Sequence, residues 1–185
     1  MAGKSSCPVI RDPLQLPTTI VLEIVGLYFD LIHDQFHTLF HRPTFTETVG
    51  KGTAPPVILY AMIALSARYD LYQSFHSTTA DFSSFSTSIA FKDHCYWDRG
   101  SEFAKESARL LDIKDVSLCT IQACILLGTV SRSEGDAAAE SVYYSIASRM
   151  ANLLDLASIP ASNAVEREIN VRGKFTFKKR KILTD

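Results

Sequence analysis

The sequence predicts an all-α fold, an irregular antiparallel bundle of about five helices that is truncated at its C-terminal side. Two observations favour this fold class. The 185 residues include only 8 Gly and 7 Pro, fewer than average usage gives, which disfavours turn-rich β architectures. Before residue 160, apolar residues recur at steps of three and four, and no stretch alternates as a strand does. The length suits one domain.

Proline residues mark the first two predicted helices. Residues 1–16 are expected to form an extended leader. The first helix is expected to begin near Pro17 and to run to about Leu39. Pro43 is expected to end it, because the residue before a proline avoids the α-helical conformation. A second helix begins after Pro56 and carries a broad apolar stripe with small residues that allow close packing.

Three further helices are expected in the second half of the chain. Residues 73–90 precede them and predict a loop, because nine of these 18 positions are Ser or Thr. One helix extends from about Asp93 to Leu111. The next two cover about 118–132 and 137–156, and both are apolar enough to need additional partners. We therefore expect an exposed apolar patch, which implies self-association or instability.

The charge of the chain is unevenly distributed. The formal net charge is −1, which excludes a strongly basic nucleic-acid-binding protein for the chain as a whole. Residues 166–185 contain 7 basic and 3 acidic side chains, which leaves 12 basic and 17 acidic side chains over residues 1–165. A basic cluster near the end is either a nuclear-import signal or a solvated C-terminus, and both interpretations stay open. Its residues are Lys178, Lys179, Arg180 and Lys181.

The four cysteines are too few and too scattered for a disulfide framework, so a reducing intracellular compartment is expected. Cys119 and Cys124 lie in an apolar run, where a free cysteine acts as a small hydrophobic residue. The N-terminus lacks the apolar core of a signal peptide, and no stretch approaches the ~18 apolar residues of a membrane span. We therefore expect no membrane association.

Three histidines are the only metal-site candidates in the sequence. His33, His37 and His41 recur at four-residue steps, which would place them on one face of the first helix, where they could bind zinc. No fourth ligand or general base follows at a recognisable spacing, so the favoured interpretation is that they are packing and helix-end residues. The chain also lacks a nucleophile elbow, a zinc-protease helix motif and a dinucleotide-binding turn. We therefore assign no catalytic residue and expect no enzyme.

Several motifs occur in the order found in one family. The segment YFDLIHDQFHTLFHRPTF at 28–45 is followed by LYAMIALSARYD at 59–70 and FAKESARLLD at 103–112. The longest motif is SLCTIQACILLGTVSRSEGDAAAESVYYSIASRMANLLDL at 117–156. Together they resemble the fungal-specific transcription factor domain, the middle regulatory region of zinc-cluster and xylanolytic-activator-type transcription factors. The matching positions are Phe29, His33, His41, Arg42, Pro43, Phe45, Arg68, Tyr69, Gln122, Gly128, Arg149 and Met150.

This resemblance implies a partial regulatory domain over residues 17–169, followed by a divergent basic tail at 170–185. It implies a nuclear role in regulating transcription by RNA polymerase II, without direct DNA contact by this chain. In the family, an N-terminal cysteine cluster binds zinc and DNA; only Cys7 lies upstream here, so no cofactor is expected in this chain. The implied partners are proteins of the transcription machinery or a second copy of the chain, with DNA reached only through the missing module.

Two alternatives stay open beside the regulatory domain. The first is a small helical metal-binding protein or enzyme that uses His33, His37 and His41. The second is a helical scaffold that binds other proteins and performs no chemistry. Stoichiometric zinc in the purified protein, lost on His37→Ala, would favour the first alternative.

Overall fold

The computed structural model describes residues 16–33, 39–76 and 100–156, with side chains described for all of these except 68–76. Within these residues the chain forms six α-helices, one π-helical turn and no strand, which confirms the all-α prediction. The π-helical turn covers Phe29–His33. The α-helices are α1 (Thr18–Tyr28), α2 (Arg42–Gly50), α3 (Pro56–His76), α4 (Ser101–Leu110), α5 (Leu118–Glu134) and α6 (Ala137–Leu153).

The first helical segment differs from the prediction in two ways. Helix α1 begins after Pro17 as expected, but it becomes a π-helical turn at Phe29, and Leu39 is not helical. Pro43 does not end a helix; it lies in the first turn of α2, where its missing N–H group loses no partner and its fixed φ suits the helix. The prediction of five helices therefore missed the short helix α2.

Helix α3 is the centre of the fold. Its residues 58–67 are all buried, and Ala61, Met62 and Ile63 have no exposed surface. A helix that is buried all round needs neighbours on every side, and α1, α4 and α5 pack against it. The helix continues to His76, so the first four residues of the predicted Ser/Thr-rich loop are helical. The other loop residues, 77–90, lie outside the described residues.

The last three helices begin and end where local capping signals occur. Helix α4 begins at Ser101, and residues 91–99 of the helix predicted here lie outside the described residues. The side chains of Ser117 and Asp136 each accept a hydrogen bond from the backbone N–H three residues later, which caps α5 and α6. Gly135 has a left-handed conformation with φ 78°, which ends α5. Helices α5 and α6 therefore form an antiparallel hairpin.

Two hydrophobic clusters stabilise the bundle. The larger one joins α1, α2, α3 and α4 to the second half of α5, where Leu126 and Val130 are almost fully buried. The smaller one lies between α5 and α6, and its buried members are Ile121, Cys124, Ile125, Ala147 and Met150. Because α5 contributes to both clusters, it attaches α6 to the main core.

A close approach between Gly100 and Ala64 fixes the start of α4 against α3. A Cβ atom built on Gly100 would lie 2.2 Å from the backbone carbonyl oxygen of Ala64. At the other end of the same helix contact, the Ser107 hydroxyl donates a hydrogen bond to the Val57 carbonyl oxygen at 2.7 Å. The two helices therefore pack too closely at Gly100 for any larger residue.

We expect Gly100→Ala to lower the free energy of unfolding by about 2–3 kcal/mol, the upper part of the range for overpacking a core. The added methyl group would meet a backbone atom, which cannot rotate away as a side chain can. Urea unfolding followed by circular dichroism would measure the loss.

The matched control is Gly26→Ala, because Gly26 lies inside α1 and an added Cβ there meets nothing within 4 Å. This variant should gain about 0.5–1 kcal/mol from the higher helix propensity of alanine. Equal stability changes in the two variants would contradict the close approach.

Candidate functional site

An aromatic cluster forms where α1, the π-helical turn and α2 meet. We define it as the buried residues Tyr28, Phe29, His33, Phe40 and Phe45. The centroid of the His33 ring lies 5.0 Å from that of Phe29 and 5.8 Å from that of Tyr28. The Phe45 ring centroid lies 4.9 Å from that of Phe40 and 6.3 Å from that of Phe29. These tilted and edge-to-face contacts attach α2 to the end of the first helical segment.

His33 is the polar member of the aromatic cluster. The backbone N–H of Phe40 donates a hydrogen bond to its Nε2 atom at 3.2 Å. Because an accepting ring nitrogen carries no proton, Nε2 is unprotonated, and the ring satisfies a backbone donor next to the core. His33 ends the π-helical turn, an irregularity that is frequent at functional sites. Its role in this structure is packing and hydrogen bonding.

Arg42 lies at the outer side of the aromatic cluster. Its guanidinium carbon is 5.7 Å from the centroid of the Phe29 ring, and the guanidinium also forms an ion pair with Asp30. Both charged side chains are about half exposed, at 52% and 55%, so the ion pair contributes at most about 1 kcal/mol. The neighbouring His41 is exposed, and its Nδ1 atom lies 2.8 Å from the Thr44 hydroxyl oxygen at the start of α2.

The structure describes two of the three candidate histidines and does not place His33 and His41 on one continuous helix. His33 ends the π-helical turn and is buried in the aromatic cluster, whereas His41 has an extended backbone before α2. His37 lies outside the described residues. Over 16–33, 39–67 and 100–156, where the side chains are described, no group of three His, Cys, Asp or Glu side chains lies close enough to hold a metal ion.

Two other motif positions join α5 to its neighbours. The Gln122 side-chain amide donates a hydrogen bond to the Leu39 carbonyl oxygen at 2.8 Å. This bond connects α5 to the residue that precedes Phe40 of the aromatic cluster. A Cβ atom on Gly128 would lie 3.2 Å from the Tyr144 ring, so glycine lets α6 approach α5 closely. The Tyr144 hydroxyl lies 3.1 Å from the Thr129 hydroxyl beside this crossing. Gly128 thus has a packing role between α5 and α6.

The remaining motif positions differ in their surroundings. Met150 is buried in the smaller hydrophobic cluster, whereas the adjacent Arg149 is exposed on α6. Arg68 and Tyr69 lie in α3, but their side chains are outside the described part of the chain. The basic cluster Lys178–Lys181 is also outside it.

The two described thiols are poorly suited to nucleophilic chemistry. Burial raises the pKa of the Cys124 thiol to about 11. Burial, with a smaller contribution from the Asp115 carboxylate, also raises the pKa of the Cys119 thiol. Because the thiolate is the reactive form, both thiols are unreactive near neutral pH. Cys124 packs in the smaller hydrophobic cluster, which confirms that it acts as a small hydrophobic residue.

Exposed apolar side chains are concentrated at one end of the bundle. Because α5 and α6 are antiparallel, the start of α5 and the end of α6 lie at the same end, next to the segment 111–117 that links α4 to α5. We call this surface the apolar end. Its exposed residues are Leu110, Ile113, Val116, Leu118 and Leu153. This surface confirms the expected exposed apolar patch.

A family model described as the fungal specific transcription factor domain matches residues 25–184. The chain belongs to this family. Two uncharacterized transcriptional regulatory proteins of Schizosaccharomyces pombe are similar to this fungal-specific transcription factor domain. One is 28% identical over 183 residues, or 96% of this chain, and the other is 38% identical over 50 residues, or 27% of it. The chain spans 17% of the first protein and 6% of the second.

No solved structure matches this fungal-specific transcription factor domain. The family match and the two relatives give the chain a role in transcription regulation. The matched range includes most of the basic tail, beyond the boundary at 169 that the motifs suggested. Among the described helices, none is both long and apolar enough to cross a membrane.

Sequence reasoning missed two members of the aromatic cluster, Tyr28 and Phe40. Both lie in the motif at 28–45, but neither was among the positions taken from the family pattern. The density of aromatic residues in that motif was the available signal. It could not show that the Phe40 N–H group donates a hydrogen bond to His33, because no periodicity encodes a contact between residues seven positions apart.

We expect His33→Ala to lower the free energy of unfolding by about 2–4 kcal/mol, because the variant leaves a cavity among the aromatic rings and removes the acceptor of the Phe40 N–H group. The control His41→Ala removes an exposed ring and should cost less than about 0.5 kcal/mol. Chemical denaturation measures both values. A zinc-dependent rise in wild-type stability that both variants abolish would instead support the metal-site alternative.

We expect the Cys124 thiol to react slowly with iodoacetamide in the folded protein. A pKa of about 11 leaves roughly 0.03% thiolate at pH 7.5, against roughly 10% for an unperturbed cysteine. The alkylation rate of Cys124 should therefore rise with pH well past pH 8.5. In urea, where the protein is unfolded, Cys124 should react as fast as the other cysteines. Mass spectrometry after timed labelling measures the rate, and labelling at the rate of free cysteine in the native state would contradict the burial.

Proposed function

We propose that this chain is the regulatory, non-DNA-contacting domain of a zinc-cluster transcription factor that acts on RNA polymerase II transcription in the nucleus. The observation that carries this proposal is the family match over residues 25–184. In such a factor, zinc and DNA would be bound by a separate cysteine-cluster module. The domain itself would act through protein partners or a second copy, and it would have no catalytic activity.

The positions of the motif residues support a regulatory role over a chemical one. His33 accepts a backbone hydrogen bond inside the aromatic cluster, and Gln122 and Gly128 join helices to one another. A catalytic site would need titratable groups that converge on a cleft. The buried or hydrogen-bonded motif side chains described above serve packing and helix attachment instead, and Arg149 and His41 are exposed.

The charge distribution supports a role without direct DNA contact. Hydrogen bonds from Arg109 lower the pKa of the Glu106 carboxyl group. The carboxylate of Glu106 and the guanidinium of Arg109 therefore both stay charged as an ion pair on the surface. A cation with a carboxylate partner contributes less to binding phosphate. The described cations that form such ion pairs are Arg42, Lys51, Lys105 and Arg109. The excess of acidic residues before residue 166 would also repel the DNA backbone.

The domain boundaries are part of the same proposal. Residues 17–169 would form the regulatory domain, and residues 170–185 a basic tail. The cluster Lys178–Lys181 would serve as the nuclear-import signal of the chain. The exposed residues of the apolar end are the surface best suited to protein contacts, because hydrophobic side chains exposed together are typical of interaction sites.

A reporter assay tests the proposed function. The chain is fused to an unrelated DNA-binding module in yeast, and transcription is measured from a promoter that carries the module's site. We expect at least a several-fold change in reporter output relative to the module alone. The unfused chain should show no sequence preference for double-stranded DNA at physiological salt, because no group of metal-ligating side chains within the described residues could hold the zinc of a DNA-binding module.

The Gly100→Ala and Gly26→Ala variants provide matched controls for this assay. Loss of the fold in the first should abolish the effect on the reporter, whereas the second should keep it. Sequence-specific DNA binding by the unfused chain, or an unchanged reporter with the folded wild type, would contradict the proposal.

A further inference from the structure

The apolar end is held in place by its own hydrogen bonds. The backbone N–H of Lys114 donates to the Asp112 carboxylate at 2.9 Å, and the Ser117 hydroxyl donates to the Asp115 carboxylate at 2.8 Å. These bonds define the backbone of the link between α4 and α5, from which Ile113 projects with 56% of its surface exposed. The apolar end is thus a preformed surface, and its five exposed apolar side chains lack a cover within the described residues.

The apolar end also carries a small excess of negative charge, with three exposed carboxylates against the exposed cations Lys114 and Arg149. Asp112 and Asp115 lie in the link between α4 and α5, and Asp155 follows the end of α6. All three residues are exposed, and Lys114 is the one cation within the link itself. A segment that covers this surface should therefore combine apolar side chains with several positive charges.

The chain contains a segment of this composition. Residues 174–181 read KFTFKKRK, with five cations, two phenylalanines and no acidic residue. The described chain ends at Leu156, at the apolar end itself, so residues 157–185 continue from that place. The link from Leu156 to Lys174 can span at most about 60 Å, which is ample to return to the same surface. The family match runs to residue 184 and so includes this segment with the helices.

We propose that residues 174–181 dock on the apolar end of the same chain. Phe175 and Phe177 would cover the exposed leucine and isoleucine side chains, and the neighbouring lysines would lie beside the Asp112 and Asp115 carboxylates. Docking would cover the basic cluster Lys178–Lys181. The docking does not depend on the proposed function, but its consequence does: in the docked state the nuclear-import signal is shielded until a partner takes the apolar end.

Carbodiimide cross-linking tests the docking, because this reagent joins only a carboxylate and an amine that are in contact. The full-length chain is cross-linked as a mixture of ¹⁴N-labelled and ¹⁵N-labelled protein, and mass spectrometry separates links within one chain from links between chains. We expect links within one chain from Lys178 or Lys179 to Asp112 or Asp115. They should exceed links to Asp136, an exposed carboxylate at the opposite end of α6, by at least threefold.

A pair of surface variants separates docking from random collision. Ile113→Ser should reduce the links within one chain at least threefold, because it removes an apolar contact from the apolar end. Val142→Ser is the matched control: its side chain is 57% exposed, against 56% for Ile113, but it lies near the start of α6. This control should leave the cross-links unchanged. Both substitutions are on exposed side chains, and circular dichroism verifies that both variants fold.

Three results would overturn the docking. The first is equal cross-linking to Asp136 and to the apolar end, which indicates random collision. The second is cross-linking that Ile113→Ser leaves unchanged. The third is links found only between chains, which would assign the apolar end to a second copy. Because cross-linking does not measure transcription, each of these results leaves the reporter assay as an independent test.

Discussion

Helix α3 is buried on all sides over residues 58–67, and the other helices are arranged to cover it. Such a helix exposes a large apolar surface wherever a neighbour is missing, so its stability depends on complete enclosure. Helices α1, α4 and α5 each cover one side. The close approach at Gly100 brings α4 near enough to exclude water, and the buried part of α5 closes the core.

On the N-terminal side of the core, the aromatic cluster holds α1, the π-helical turn and α2 together. The contacts of Phe45 and Arg42 with Phe29 attach α2 to the π-helical turn that follows α1. A buried His33 costs little here, because it replaces water as the acceptor of a backbone N–H group. The motif residues of this region therefore specify a fold and not a reaction.

The parts of the fold that depend on local signals could be predicted from the sequence. Pro17, Ser117 and the pair Gly135 and Asp136 mark helix boundaries through their own backbone preferences, and the structure has boundaries at these places. Pro43 could not be interpreted in this way, because a proline suits both the position after a helix and the first turn of a helix. Which of the two applies depends on whether Phe45 has an aromatic neighbour to pack against, and that neighbour comes from another element.

The candidate site was less predictable for the same reason. The motif order identified the family, but even spacing of three histidines suggested a helix face that the chain does not form. The spacing rule requires one continuous α-helix, and the π-helical turn removes that condition after Tyr28. The role of His33 follows from a hydrogen bond across seven residues, which no periodicity encodes. Local sequence therefore indicated which residues matter, and only the tertiary structure shows what each of them contacts.

Helix α5 connects the two surfaces on which a regulatory role would depend. Its first residues belong to the apolar end, and Gln122, one turn later, donates a hydrogen bond to the Leu39 carbonyl oxygen beside the aromatic cluster. Its second half lies in the main core, where Leu126 and Val130 are almost fully buried. The start of α5 therefore connects the apolar end to the residue before Phe40, while the second half of the same helix lies in the main core.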